Sequence, residues 1–261
     1  MTETRFTGER LHKGSELFQV DIARHLAPYC FAIDQAADAR VLYLGCGSGY
    51  GTAELAEATP FVVGVDRIAP DAKYRDASVC YVRADLMGLP LAPASFDLVV
   101  SFQVIEHLKD PTDYLETIAR LLRPNGTALI TTPNRLTSDG VNPYHVHEYV
   151  GGELAGCLRS RFGSVEMRGV GASASAARYL EARLRRIRRI TRLDPLRLRE
   201  RLPPRLVEWL FARFALIVRR GIQHDEGLPD ASWRDFPIVP FDDTCVDLLA
   251  ICREPLARTA R

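Results

Sequence analysis

The stretch VLYLGCGSGYGT, Val41 to Thr52, runs four apolar residues into four glycines at alternate positions and then into a helical pattern, YGTAELAEAT. Such a chain is committed to a strand–turn–helix unit. Glycine reaches the backbone conformations of a tight turn, and bare N–H groups at a helix start attract polar groups. Further β-rich runs come at the same rhythm: FVVGVD, VCYVRAD, FDLVVSF and GTALITT. Helical patterns such as VIEHLKDPTDYLETIARLL lie between them. The expected fold is therefore α/β, a doubly wound and mostly parallel sheet with helices on both faces. Two later strands, SVEMRGV and CVDLLAIC, close the pattern, and an arginine-rich helical stretch separates them.

The glycines acquire meaning from the residues beyond them. A dinucleotide fingerprint needs glycine at position 50, where Tyr50 stands, so the spacing is GxGxG and the nicotinamide reading is disfavoured. Asp66 ends the second strand, where an acceptor can take both hydroxyls of a ribose. Asp85 ends the third, where a carboxylate can accept an adenine amine while the Leu86 N–H reaches a ring nitrogen. Each aspartate alone reads as a solvated strand-end residue, and the glycines alone as a tight turn. Together they line the crevice where open α/β sheets bind ligands.

VLYLGCGSG, VVGVD, ADLMGLPLAPASFDLVVSFQVIEHL and LLRPNGTALITTPN resemble, in order, the class I S-adenosylmethionine-dependent methyltransferases, particularly the small-molecule group with its O-methyltransferases. The resemblance covers roughly positions 40–150. It implies a Rossmann-like, seven-stranded sheet with an antiparallel last strand, in one domain: an N-terminal lid-helix region (1–39), a cofactor-binding core (40–172), a helical insertion (173–240), and a last strand with tail (241–261). It implies S-adenosyl-L-methionine as cofactor. Gly45, Gly47 and Gly49 would pass beneath its methionine part, Asp66 would hold the ribose, Asp85 and Leu86 the adenine, and Gln103 would lie near the sulfonium.

Tyr43 departs from the family, which usually carries Asp or Glu there. A phenol with a pKa near 10 supplies no negative charge at neutral pH. Either backbone carbonyls and water satisfy the cofactor's ammonium group, or the site is degenerate and only binds. A small-molecule acceptor, methylated at oxygen, is the expected partner, with sugar, polysaccharide, natural-product and quinone-like molecules all open.

Methyl transfer from a sulfonium is an in-line displacement dominated by alignment, and an oxygen acceptor also needs a base. His107 is the candidate catalytic group, with Glu106 able to orient it, although a solvated glutamate is the plainer reading. In similar enzymes the loop NPYHVHEY shapes the acceptor pocket, which points to His145, His147 and Tyr149, the alternative being that the two histidines face opposite sides and only one reaches the pocket. Some relatives bind a divalent metal through ExxEH plus a later histidine, but Gln103 stands at the first position of that motif. An amide is a poor ligand for a hard cation. No metal is assigned, although Glu106, His107 and His145 form a conceivable three-ligand set. Upstream, His25 and Tyr29 fall four apart on one face of a helix that could lid the cofactor.

Composition bounds the setting. A 261-residue chain with 47% hydrophobic and 26% charged residues is ordinary for a globular protein. The polar opening MTETRFTGER has no signal-peptide pattern, and no run reaches the length of a membrane span. Six cysteines without CxxC spacing point to a reduced, cytoplasmic compartment. The net charge of +1 hides fourteen arginines set against four carboxylates between positions 178 and 220. There Leu180, Leu184, Ile187 and Ile190 recur at helical spacing among arginines, and the apolar run 206–218 is too short to cross a bilayer. This segment is read first as a cover over the acceptor site. Its second reading is a basic surface for anionic lipid or a lipid-linked acceptor, peripheral at the membrane, and nucleic acid comes third.

Overall fold

The computed structural model describes residues 18–75, 79–191, 206, 210, 211, 213, 216–221 and 230–256. The chain runs α1 (Gln19–Ile33), β1 (Val41–Leu44), α2 (Tyr50–Ala56), β2 (Val62–Asp66), β3 (Val79–Arg83), β4 (Phe96–Phe102), α3 (Thr112–Leu121), β5 (Leu122–Pro133), α4 (Gly151–Leu158), β6 (Phe162–Val170), α5 (Ala174–Thr191), β7 (Ile238–Pro240) and β8 (Asp247–Pro255). Short 3₁₀ turns at Ala72–Tyr74, Ile105–His107 and Trp233–Asp235 punctuate it.

The strands form one sheet in the order β3-β2-β1-β4-β5-β8-β6-β7. Strands β1 to β5 are mutually parallel, and β8 inserts antiparallel between β5 and β6. This is the doubly wound, mostly parallel Rossmann-like architecture expected from the strand–helix rhythm. One difference is an eighth strand. Val239 of β7 pairs antiparallel with Gly169 at the edge of β6, so the span 173–240, read as helical, ends in a strand. The other difference concerns RPNG, which follows the helical pattern VIEHLKDPTDYLETIARLL. It lies within β5, which begins at Leu122 and pairs with β4 across a register shift.

Side-chain alternation decides which face each residue serves. On β1, Leu42 and Leu44 join Tyr114, Leu115 and Ile118 of α3 and Leu154 of α4 in one core. Val41 and Tyr43 face the opposite core, with Tyr29 and Ala32 of α1 and Leu55 of α2. Tyr43 is thus the strand residue under α1, at only 3% exposure. The interruption in an otherwise aliphatic strand is packed from above by a second tyrosine. A third cluster ties the start of α1, through Val20, Ala23 and Ala27, to Tyr179, Leu180 and Ile187 of α5 and to Val218.

The arginine-rich segment therefore packs back onto α1 in its described parts. Residues 192–205, Trp209 and Phe214 lie outside the described residues, as does the stretch 1–17. Among the described residues no helix is long and apolar enough to cross a membrane. All six cysteines are free thiols.

Candidate functional site

The glycine loop is shaped by three left-handed residues: Gly45 at φ +81°, Gly47 at +55° and Gly49 at +93°. Position 45 is doubly restricted, since a Cβ there would meet Val104 Cγ2 at 2.4 Å. Gly49 is the N-cap residue of α2, so the loop ends on unsatisfied N–H groups of a helix start. Asp66 fastens the loop from the next strand. Its Oδ2 accepts the Gly47 N–H at 2.8 Å and its Oδ1 accepts the Ile68 N–H at 3.0 Å. Two strand ends and the loop between them are therefore held by one carboxylate. Asp85, exposed just past the end of β3, accepts the Met87 N–H at 3.0 Å.

A cavity of about 1460 Å³ opens at the carboxyl edge of the sheet, where such folds bind ligands. Gly45, Gly47, Asp66, Asp85, Leu86 and Gln103 all line it. Gly49 does not border the cavity; its place is the start of α2. Gln103 follows β4 with φ +57°, a conformation that costs a non-glycine residue, while its N–H donates to Thr131 O at 3.0 Å. The cavity continues past Gln103 to His107, His145, α5 and the β7–β8 loop.

At that further end the 3₁₀ turn after β4 brings three donor groups together. Glu106 is fully buried. Its Oε2 accepts the Thr132 hydroxyl at 2.9 Å, and its Oε1 has no hydrogen-bond partner among the described residues. Burial raises its pKa above the ordinary carboxylate range, against the pull of His107 and His145. His107 Nδ1 lies 2.8 Å from Tyr144 O. A carbonyl can only accept, so Nδ1 carries the proton and the ring's basic lone pair is on Nε2.

His145 is oriented by Glu148, whose Oε1 is 2.6 Å from Nδ1, and by the Asn142 amide at 2.8 Å from Nε2. Burial opposes ionisation of Glu148, but hydrogen bonds from His145 and Ser138 hold its carboxyl below the usual range. Donor atoms of Glu106, His107 and His145 lie within 4.8 Å of one another, a set that could hold a metal ion.

The loop after β5 divides its three candidate pocket residues. His145 lines the cavity; His147 and Tyr149 do not. His147 pairs at the surface with Glu153 (2.7 Å), and Tyr149 is core, its ring 4.6 Å from that of His147 and its phenol pushed up to about 12 by burial. A regular extended segment would send residues two apart to the same side. Here the chain bends at Val146, and the N–H groups of Val146 and His147 both donate to Glu106 O, at 2.8 and 3.0 Å. The bend breaks the alternation and turns His147 away from His145.

Sequence reasoning also passed over a charged group at the cavity's far wall. Asp21 of α1 accepts from Arg183 of α5 at 2.6 Å and from Arg219 at 2.9 Å. Arg24 pairs with Asp247 at 3.4 Å. Burial opposes a charged Asp21, but Arg219, Arg183 and Arg24 outweigh it and hold the carboxyl well below its usual range. A carboxylate among the buried positions of α1 was the available signal, although nothing local names its partners.

Comparison with known proteins agrees with this geometry. Residues 42–130 match the family model of the methyltransferase domain. Over 175 residues the chain is 38% identical to a protein of Mycolicibacterium smegmatis named "Probable S-adenosylmethionine-dependent methyltransferase", covering 61% of this chain and 65% of that one. It is 29% identical over 172 residues to the ubiquinone biosynthesis O-methyltransferase of Paracidovorax citrulli, covering 54% of this chain and 70% of that one. The chain thus spans less than two thirds of its mycobacterial relative. Among solved structures, an S-adenosylmethionine-dependent methyltransferase of Thermotoga maritima shares the fold over 91% of this chain and 92% of its own, at a TM-score of 0.57 and 14% identity. Residues 42–130 thus match the methyltransferase domain, and the chain shares the fold of an S-adenosylmethionine-dependent methyltransferase.

Proposed function

We propose that the protein transfers a methyl group from S-adenosylmethionine to an oxygen atom of a small acceptor. The observation that carries this reading is the continuity of one cavity. It runs from the glycine loop, Asp66 and Asp85 to a histidine whose tautomer is set by the Tyr144 carbonyl. Asp66, Asp85 and the Leu86 N–H would hold the adenosyl half, and Gly45 and Gly47 would pass beneath the methionine half. Gln103 stands between that half and His107. Bound there, the cofactor would supply an electrophilic methyl group, its sulfur keeping the carbon–sulfur electron pair as S-adenosylhomocysteine leaves, and Nε2 of His107 would take the acceptor hydroxyl's proton. Alignment supplies most of the acceleration, and proton removal adds about 10²–10⁴-fold. The ubiquinone-pathway relative, named an O-methyltransferase, supports the choice of oxygen.

A second reading is favoured by the orphaned Glu106 Oε1. The buried carboxylate and two histidines fit a divalent cation, which would act when bound as a Lewis acid toward the acceptor oxygen. The test is methyl transfer from labelled cofactor to a panel of phenolic, sugar and amine acceptors, with and without EDTA. O-methyl products and a 10²-fold or greater loss of kcat in His107→Gln support the base. Amine products alone would overturn the oxygen assignment, and loss of activity in EDTA reversed by Mg²⁺ or Mn²⁺ would favour the metal.

A further inference from the structure

Three elements deliver a tyrosine to one point beneath the glycine loop. Tyr29 comes from α1, Tyr43 from β1 and Tyr50 from the first residue of α2. The Tyr29 ring centroid is 5.7 Å from that of Tyr43, 5.5 Å from that of Tyr50 and 5.0 Å from that of Phe102, all edge to face. The Tyr29 and Tyr43 hydroxyls share a short, buried hydrogen bond, and Tyr50 joins the chain through Tyr29. All four rings line the cavity alongside Gly45 and Gly47.

The sequence reserves space for this arrangement. A Cβ on Gly51 would stand 2.1 Å from Tyr29 Cε1, so the fourth alternating glycine serves a phenol ring. Side chains would be tolerated at most helix positions; this one is kept bare.

The methionine end of the cofactor carries an ammonium group, which needs acceptors. The glycine-loop N–H groups are donors and cannot serve it. Asp66 and Asp85 are engaged by backbone N–H groups and belong to the adenosyl end in the reading proposed above, on which this inference rests. A phenol oxygen both donates and accepts, so hydroxyls linked by hydrogen bonds can still offer an acceptor lone pair to a cation. The rings add the attraction of an aromatic face for a cation.

We propose that the phenol chain Tyr43–Tyr29–Tyr50 is the acceptor for the cofactor's ammonium group, a neutral substitute for a carboxylate at the base of the loop. Burial keeps the phenols protonated, with Tyr50 pushed up to about 12 and Tyr29 and Tyr43 raised well above the ordinary phenol value, so the substitute stays neutral across the physiological range.

The test is calorimetric titration of Tyr43→Phe and Tyr29→Phe with two probes. S-adenosylhomocysteine carries the ammonium, and 5′-methylthioadenosine keeps the adenosine and sulfur without the amino-acid end. Phenylalanine preserves the ring, and affinity for methylthioadenosine reports that the site is still folded. Each variant should weaken S-adenosylhomocysteine about ten- to 150-fold, the range for one hydrogen bond to a charged group, and methylthioadenosine less than about twofold. Equal weakening of both probes, or no weakening of S-adenosylhomocysteine, would overturn the assignment. Asp66→Asn separates the two claims. It should weaken both probes, and if it weakens neither while the phenol variants act as expected, the adenosyl placement is wrong and the phenol assignment stands.

Discussion

Asp21 and Arg219 meet across 198 positions of chain: the guanidinium donates to Oδ2 at 2.9 Å while Arg183 donates to Oδ1 at 2.6 Å. One buried carboxylate on α1 thereby fixes two parts of the arginine-rich segment over the cavity. Desolvating an aspartate at 4% exposure is tolerable only because both guanidiniums are present. Asp21→Asn removes the charge that both arginines share, leaving Arg183 the longer contact to Asp139 at 3.9 Å, and should cost about 3–5 kcal/mol, read as a lower midpoint in urea unfolding. A change below about 0.5 kcal/mol would show that the group is solvated in solution.

His25, next to Arg24 on the same helix, is held neutral. Burial and then Arg24 lower its pKa from 6.5 to about 3. Between those values the unfolded chain binds a proton that the folded one refuses. Stability therefore rises with pH across the window and is lost as pH falls from about 6.5 toward 3. The slope from this one group is at most about 1.4 kcal/mol per pH unit. Replacing it by glutamine should flatten the pH dependence of unfolding between about pH 4 and 6.5. An unchanged slope would assign that dependence to other groups.

Gly51→Ala introduces a methyl group where the Tyr29 ring sits. Overpacking of this kind costs about 1–3 kcal/mol, and relief by moving Tyr29 should also disturb the glycine loop. The expected result is a lower thermal midpoint together with weaker binding of S-adenosylhomocysteine. Gly152→Ala, on α4 with open space around it, is the control and should change neither. Equal behaviour of the two variants would remove the packing argument.

What the sequence made legible was local. The strand, glycine loop and helix of 41–56 could be read because each signal lies within a few residues of the next. Asp66 and Asp85 could be read because they terminate strands. Tyr43 was visible as a departure, but its partner was not, since nothing in the sequence says that α1 lays Tyr29 on β1. The Asp21 group was hidden for the same reason, its arginines being indistinguishable from their many neighbours. His147 and Tyr149 shared a motif with His145, and only the bend at Val146 separates surface and core from cavity. The additional strand, β7, is three residues long, too short to show any period.

The proposed function depends on one adenosyl ligand being gripped between the glycine loop and two strand-end carboxylates. Calorimetry with S-adenosylhomocysteine on the wild type, Asp66→Ala and Asp85→Ala tests it most directly. The expected result is one-to-one binding by the wild type and about tenfold or more weaker binding by each variant, since losing a hydrogen bond to a charged group costs about 1.5–3 kcal/mol. Wild-type protein that takes up no ligand, or variants that bind as tightly as the wild type, would contradict it.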